Sequence, residues 1–280
     1  MTVIVTGSSG LLGRHVAGAL VTAGHTVLGI DAVAPPPGAT WDHVTADLTD
    51  LGVALQLARH ARTIVHIAAI PRPTGLPGGL VFRTNMAAAY NVVEAAVLNG
   101  ATRLVYASSM SVLGYPFFEV PIAPSYLPLD SAHPVAPQDA YALSKWLGEE
   151  VVEAAVRRRP GLGAVSLRMP WIQTAATFPR DVVGRRARAM LVARDLWGYL
   201  DARDAASAFV AAVERPIVGH RRVFISAADT FMDVETAALV QAAYPDTVMK
   251  RPLIGYETIF DLTEAREVLG FTPAFGWRDY

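Results

Sequence analysis

The chain has no cysteine among its 280 residues, which excludes disulfides and thiolate metal sites and fits a reducing compartment. It also has almost no net charge, −1 with histidine neutral, so no bulk electrostatic pull toward nucleic acid or a membrane surface is implied. Glycine, proline and charged residues interrupt every apolar run before it reaches the roughly 20 residues of a membrane span. The first strand pattern starts at Thr2 and leaves no room for a signal peptide, so the expected location is cytoplasmic. No repeat or low-complexity tract is visible, and the length suffices to bury a sizeable core.

What is present begins with Thr6-Gly7-Ser8-Ser9-Gly10-Leu11-Leu12-Gly13. Thr2 to Thr6 reads as a short buried strand and Leu11 to Ala23 as a helix with apolar residues at helical spacing, so the glycines fall on a strand-to-helix turn. A helix N-terminus offers unpaired N–H groups and the positive end of a dipole, which suits a pyrophosphate. Gly7 then makes the tight turn, Gly10 lets backbone approach the phosphates and Gly13 permits close helix–strand packing. Ser9, Leu11 and Leu12 complete the cofactor-binding turn. The spacing is one residue wider at its first gap than G-x-G-x-x-G. A flexible loop is the bland alternative, countered by the strand, turn, helix, strand unit that Thr26 to Ile30 closes. Asp31 ends that second strand about 20 residues past the glycines, where a carboxylate accepts hydrogen bonds from ribose hydroxyls and repels a 2′-phosphate. NAD is therefore expected over NADP. Asp47-Leu48 closes a third strand and could border the adenine; a helix cap or solvated loop acid is an equal reading of Asp47.

Strand and helix alternate through the first two-thirds: His43 to Ala46 a strand, Leu51 to His60 a helix, Thr63 to Ile67 a strand, Val81 to Asn99 a helix, Arg103 to Ala107 a strand. Tyr141 to Arg158 then reads as a helix, closed by arginines that complement its dipole, and Ala164 to Arg168 as a strand. This is the pattern of an α/β, doubly wound parallel sheet of Rossmann type. Residues 1–170 form the expected NAD-binding domain, with 203–226 returning to it, and 171–280 a small C-terminal substrate lobe. Beyond Pro170 the rhythm loosens to strands at Leu196 to Leu200 and Val223 to Ser226 and helices near Arg203 to Val213 and Val234 to Ala243. Ala34 to Gly38 and Pro71 to Gly79 read as loops.

Tyr141-Ala142-Leu143-Ser144-Lys145 places a phenol and an ammonium on one helical face. A nearby ammonium favours the ionised phenol, which makes Tyr141 a candidate general acid/base and Lys145 its tuner and a nicotinamide-ribose contact. Such spacing also arises on surface helices. It gains weight from Ser108-Ser109-Met110-Ser111-Val112-Leu113-Gly114 after the strand Arg103 to Ala107, where a hydroxyl can polarise a substrate oxygen opposite the tyrosine.

With these motifs the chain resembles an extended short-chain dehydrogenase/reductase of the NAD-dependent epimerase/dehydratase family. The likeness runs from Thr6 through Asp201-Ala202-Arg203-Asp204 to Leu269-Gly270-Phe271-Thr272-Pro273. It implies Ser109 as the catalytic hydroxyl, Ser108 as structural and Ser111 as a secondary substrate contact. His66-Ile67-Ala68-Ala69 resembles the turn after the fourth strand, where the backbone of Ile67, Ala68 and Ala69 lines the cofactor and His66 reads as a packed strand residue. Asn85 resembles the helix asparagine on the cofactor side, and Arg168-Met169-Pro170 the strand end that brings Pro170 to the nicotinamide. Leu113 departs from the usual tyrosine, and Trp171-Ile172-Gln173 from the tyrosine-glycine-proline run.

Residues 169–202 are fewer than nucleotide-sugar members use to grip a nucleotide, and the compact layout resembles the family's uronate dehydrogenases. The same segment is rich in arginine. Arg180 and Arg185 are the expected contacts to an anionic group on a small sugar-like substrate, against the alternative of a solvated helix face. The resemblance further implies a homodimer through the helices Val81 to Asn99 and Tyr141 to Arg158, with Ala87-Ala88-Ala89 either allowing close approach or facing the chain's own sheet. Neither a metal, nor a nucleic acid, nor a membrane enters the expected partners. Three activities stay open: a dehydrogenase of a free sugar or sugar acid, a nucleotide-sugar epimerase that retains NAD, and a dinucleotide-sensing module without turnover.

Overall fold

The computed structural model describes residues 2–59 and 61–280. Its elements are, in order, β1 (Thr2–Thr6), α1 (Leu11–Thr22), β2 (Thr26–Asp31), β3 (Asp42–Thr45), α2 (Leu51–Leu57), β4 (Thr63–His66), α3 (Gly78–Leu98) and β5 (Arg103–Ala107). They continue with β6 (Tyr126–Leu127), α4 (Ala140–Arg158), β7 (Gly163–Arg168), β8 (Trp171–Gln173), α5 (Phe178–Arg186), β9 (Tyr199–Asp201) and α6 (Ala202–Glu214). The last are β10 (His220–Phe224), α7 (Thr236–Ala243) and β11 (Val248–Met249).

Seven strands form one parallel sheet in the order β10-β7-β5-β4-β1-β2-β3. Its inner strands are apolar runs without alternation because both faces are covered. Val3, Val5, Val65, Val105 and Val165 pack with α1 and α6 on one side; Ile4, Ile64, Leu104 and Ala164 pack with α2, α3 and α4 on the other. In α1 the buried residues are Gly13, Val16, Ala17 and Leu20, one stripe at helical spacing. In α3, Ala88 and Ala89 are buried in the chain's own core, the sheet-facing role of the two open for them. The chain runs outward from β1 to β3 and then returns with β4 beside β1. Their diverging carboxyl ends open the crevice where α/β sheets bind ligands.

Several boundaries differ from the sequence expectation. The α2 helix stops at Leu57, and His60 lies outside the described residues. The α3 helix starts at Gly78, ahead of the first strong helix formers. Instead of Leu196 to Leu200, the strand β9 begins only at Tyr199, because Leu196 and Trp197 take left-handed backbone angles, φ 54° and 51°, incompatible with a strand. The outer strand β10 begins at His220, with polar residues that an outermost strand tolerates, and ends at Phe224. Past β7, β8 and β9 pair in parallel, and α5 docks through Phe178, whose ring meets Tyr199, Trp277 and Tyr280 at centroid distances of 5.3, 6.1 and 5.6 Å. No helix among the described residues is long and apolar enough to cross a membrane.

Candidate active site

The glycine turn is built by close backbone contact. Gly7 has φ +72°, and its N–H donates to the Ile30 carbonyl at 2.7 Å, which ties the loop to β2. A Cβ at Gly7 would stand 2.7 Å from the Ala68 nitrogen, and one at Gly13 would stand 1.9 Å from the Gly7 carbonyl oxygen. Thr6 closes the turn from below: its hydroxyl oxygen accepts from the Ile67 and Ala68 N–H groups at 3.1 and 3.2 Å and lies 2.8 Å from His66 Nδ1. With two donors already on that oxygen, its own hydrogen goes to Nδ1, which assigns the His66 proton to Nε2. Burial, reinforced by Lys145, holds the His66 imidazole down at about 3, so it is neutral. No side chain caps the start of α1, and its first turn carries no acidic residue. The Gly10 N–H closes the turn onto the Gly7 carbonyl at 3.1 Å, and the open N–H groups of the first helical turn, at Leu11 and Leu12, fit a dinucleotide pyrophosphate beside the glycine cradle.

Asp31 stands at the end of β2, where Oδ2 accepts from the Ser9 N–H at 2.9 Å and Oδ1 from the Val33 N–H at 3.2 Å. The carboxylate therefore holds the glycine loop and its own turn in place, with its remaining lone pairs available to a ribose. Asp47 Oδ1 accepts from the Thr49 N–H and hydroxyl at 2.9 and 2.8 Å, and those bonds hold its carboxyl below the usual range. This is the turn-acid geometry of the two readings. The Leu48 side chain is buried in the core beside Ile30 and Ala54, and its carbonyl accepts from Asn91.

Around the end of β5, Ser109 starts a short 3₁₀ turn in which its oxygen accepts from the Ser111 N–H at 3.1 Å. The Met110 N–H donates to the Met169 carbonyl at 3.0 Å, bringing this turn against the segment that holds Pro170. The Ser111 hydroxyl is buried without a partner. Asp139 caps α4, with Oδ1 accepting from the Tyr141 and Ala142 N–H groups at 2.8 and 2.9 Å. Lys145 Nζ donates to the Ala107 carbonyl at 2.7 Å and lies 5.8 Å from the Tyr141 ring centre. Asn85 pins the neighbouring wall: Oδ1 accepts from the Ile70 N–H at 2.8 Å, and Nδ2 donates to the Ile70 carbonyl and the Ser144 hydroxyl, both at 3.1 Å.

The electrostatics correct one expectation. Burial pushes the Tyr141 phenol up to about 12, with the Ser109 hydroxyl opposing and Asp139 adding to the rise, instead of Lys145 drawing it down. The ammonium itself is buried and lowered to about 8, with Glu149 opposing. Desolvation is the largest cause for both groups.

One residue that sequence reasoning missed sits directly behind this group. Glu149, fully buried, pairs with the buried Arg168 at 2.8 Å and accepts from the Ser108 hydroxyl at 2.5 Å. A usable signal existed, since Glu149 follows Lys145 by one helical turn on the face that carries Tyr141. Ser108 is thus a structural donor. The expected substrate arginines are both engaged: Arg180 is exposed and pairs with Asp181 at 2.7 Å, while Arg185 pairs with Asp195 and stacks 4.3 Å over the Trp171 ring. The structure does not bring either to Tyr141. Among the described residues no cluster of three or more histidine and carboxylate groups could hold a metal ion.

A parallel sheet with a glycine-cradled helix start, a serine just past β5 and a tyrosine and lysine on α4 defines a dinucleotide-binding fold of Rossmann type. The chain belongs to the NAD dependent epimerase/dehydratase family, whose model matches residues 3–225, and its cofactor is NAD. Similar proteins include L-arabinose 1-dehydrogenase (NAD(P)(+)) of Haloferax volcanii, 26% identical across 97% of this chain and 95% of that protein. GDP-mannose 3,5-epimerase 1 of Oryza sativa subsp. indica is 29% identical over 54% of this chain, and the match spans 41% of the epimerase's length. Among solved structures, MoeE5 in complex with UDP-glucose and NAD is similar with a TM-score of 0.73 and 24% identity, covering 100% of this chain and 95% of that one. The homologues thus include both sugar dehydrogenases and nucleotide-sugar epimerases.

Proposed function

We propose that the protein is an NAD-dependent dehydrogenase that oxidises a secondary hydroxyl of a free sugar or sugar acid. The observation that carries this reading is the convergence of Ser109, Tyr141 and Lys145 on the end of β5, against the segment of Met169 and Pro170. The full-length likeness to an arabinose dehydrogenase supports it, as does the shortness of residues 169–202.

In this reading Tyr141 Oη takes the hydroxyl proton while the carbinol C–H bond breaks with its electron pair. NAD, when bound, supplies the hydride acceptor. Ser109 donates to the substrate oxygen as it becomes a carbonyl, and Ser111 offers its unpartnered hydroxyl beside it. Lys145, held by the Ala107 carbonyl, would reach the nicotinamide ribose, and Pro170 would lie beside the nicotinamide. Gly7, Ser9, Gly10, Leu11, Leu12 and Gly13 hold the pyrophosphate, Asp31 the adenosine ribose, and Ile67, Ala68, Ala69 and Asn85 the facing wall.

The reading is tested by following nicotinamide absorbance with a panel of free sugars, sugar acids and nucleotide sugars. Stoichiometric NADH from a free sugar or sugar acid supports it; interconversion of UDP-sugars without net NADH, by protein purified with NAD bound, refutes it in favour of the epimerase reading that the rice relative suggests. Ser109→Ala should lower kcat by about 10²-fold, as for loss of one polarising donor. A larger loss in Ser108→Ala would transfer the role to Ser108.

Asp31→Ala should narrow the ratio of NADP to NAD dissociation constants, because the carboxylate that repels a 2′-phosphate is gone. Tighter NADP binding by the unaltered protein overturns the assignment. A homodimer is proposed through the outer faces of α3 and α4, where Tyr90, Leu98 and Leu143 are exposed. Light scattering at micromolar concentration should give twice the chain mass, and a monomer excludes the dimer.

A further inference from the structure

We propose that Glu149 is a positioning residue for Ser109, Tyr141 and Lys145, its buried carboxylate fixing the end of β5, the helix α4 and the end of β7 against one another. The inference rests on the catalytic reading of those three residues. Oε1 accepts from Ser108 Oγ at 2.5 Å and Arg168 Nε at 2.9 Å; Oε2 accepts from Arg168 Nη2 at 2.8 Å and Arg222 Nε at 3.1 Å. Each partner comes from a different segment, Ser108 just past β5, Arg168 at the end of β7 and Arg222 in β10. Ser108 directly precedes Ser109, and Arg168 lies two residues before Pro170. Arg168 extends the tie by donating through Nη1 to the Ser131 carbonyl at 3.2 Å. Glu149 itself sits one turn from Lys145 and two from Tyr141, so one carboxylate joins every segment that supplies a reacting group.

Stability does not account for the arrangement. A buried ion pair gains little over well-packed apolar side chains, because two charges lose their water, whereas placing charged partners in one geometry specifies position. The carboxylate has an electrostatic effect too. Lys145 faces the Ala107 carbonyl and the Tyr106 ring from β5, Tyr141 and Glu149 from its own helix, and His66 from β4. His66 stays neutral above about 3, and burial raises the Tyr106 phenol beyond its ordinary range. Glu149 is then the anion that favours the Lys145 ammonium near neutral pH.

The chain has two lysines, Lys145 and Lys250, so ¹³C-lysine labelling gives two signals, with the exposed Lys250 as internal reference. Titration followed by NMR needs neither cofactor nor turnover. In Glu149→Gln the Lys145 midpoint should fall by about one pH unit or more while Lys250 stays. A folded variant with an unmoved Lys145 midpoint overturns the electrostatic part. If the unpaired Arg168 guanidinium prevents folding, Glu149→Gln combined with Arg168→Gln is compared with Arg168→Gln alone, and the same fall in the Lys145 midpoint is expected. Ser108→Ala keeps every charge and removes one tie: kcat should drop about tenfold, with the Lys145 midpoint and the Kd for NAD unchanged. Unaltered kcat in Ser108→Ala overturns the positioning role whether or not the other variants fold. An active Tyr141→Phe would instead strike the catalytic reading and leave the lysine titration standing, so the two failures separate.

Discussion

Tyr141→Phe should abolish turnover, lowering kcat by about 10³-fold or more, while the melting temperature and the Kd for NAD stay near those of the unaltered protein. The substitution removes one oxygen from a ring that is 9% exposed. That oxygen is costly to ionise where it sits, since burial pushes the phenol up to about 12, and its loss leaves Asp139 capping α4 through backbone N–H groups that phenylalanine also has. Lys145 keeps its bond to the Ala107 carbonyl. Structure and cofactor affinity should therefore separate cleanly from chemistry. Stopped-flow and calorimetric measurements on the same preparation check this, and a variant that keeps most of its kcat sinks the assignment of Tyr141 as the proton acceptor.

Gly13→Ala should cost several kcal/mol of stability and most of the affinity for NAD. The added carbon would sit 1.9 Å from the Gly7 carbonyl oxygen, 2.6 Å from its carbonyl carbon and 2.9 Å from the Ser8 Cα. All three are backbone atoms, so no side-chain rotation relieves the overlap; α1 and the glycine turn have to part. Overpacking of this kind typically costs about 1–3 kcal/mol and more where backbone moves. Because the turn also presents the N–H groups at the start of α1, the strain and the loss of binding arise together. Thermal unfolding and NAD titration are the measurements, and unchanged values in both would show that the turn tolerates the separation.

Much of this was legible in the chain. Residues 2–31 combine a continuous apolar strand, a helix with one apolar stripe and glycines between them, a local pattern that distant contacts do not override. The Tyr141 and Lys145 pair was legible because helical geometry alone places them on one face. Other features depend on distant partners. Glu149 and Arg168 are ordinary charged residues in sequence, and only the fold buries both and sets them 2.8 Å apart. Arg185 read as a free cation until the turn at Leu196 and Trp197 brought Asp195 to it. The upward shift of Tyr141 escaped for the same reason, since spacing reveals a neighbouring ammonium but not the depth at which the phenol is buried.

The Thr6 hydroxyl has a consequence for motion. One oxygen receives two N–H groups from the turn after β4 and its hydrogen goes to His66, while the neighbouring Gly7 N–H holds β2. The base of the glycine turn is thereby braced across three adjacent strands, β2, β1 and β4. Swinging either loop outward would break these bonds around a buried hydroxyl and imidazole, so this edge of the crevice acts as an anvil.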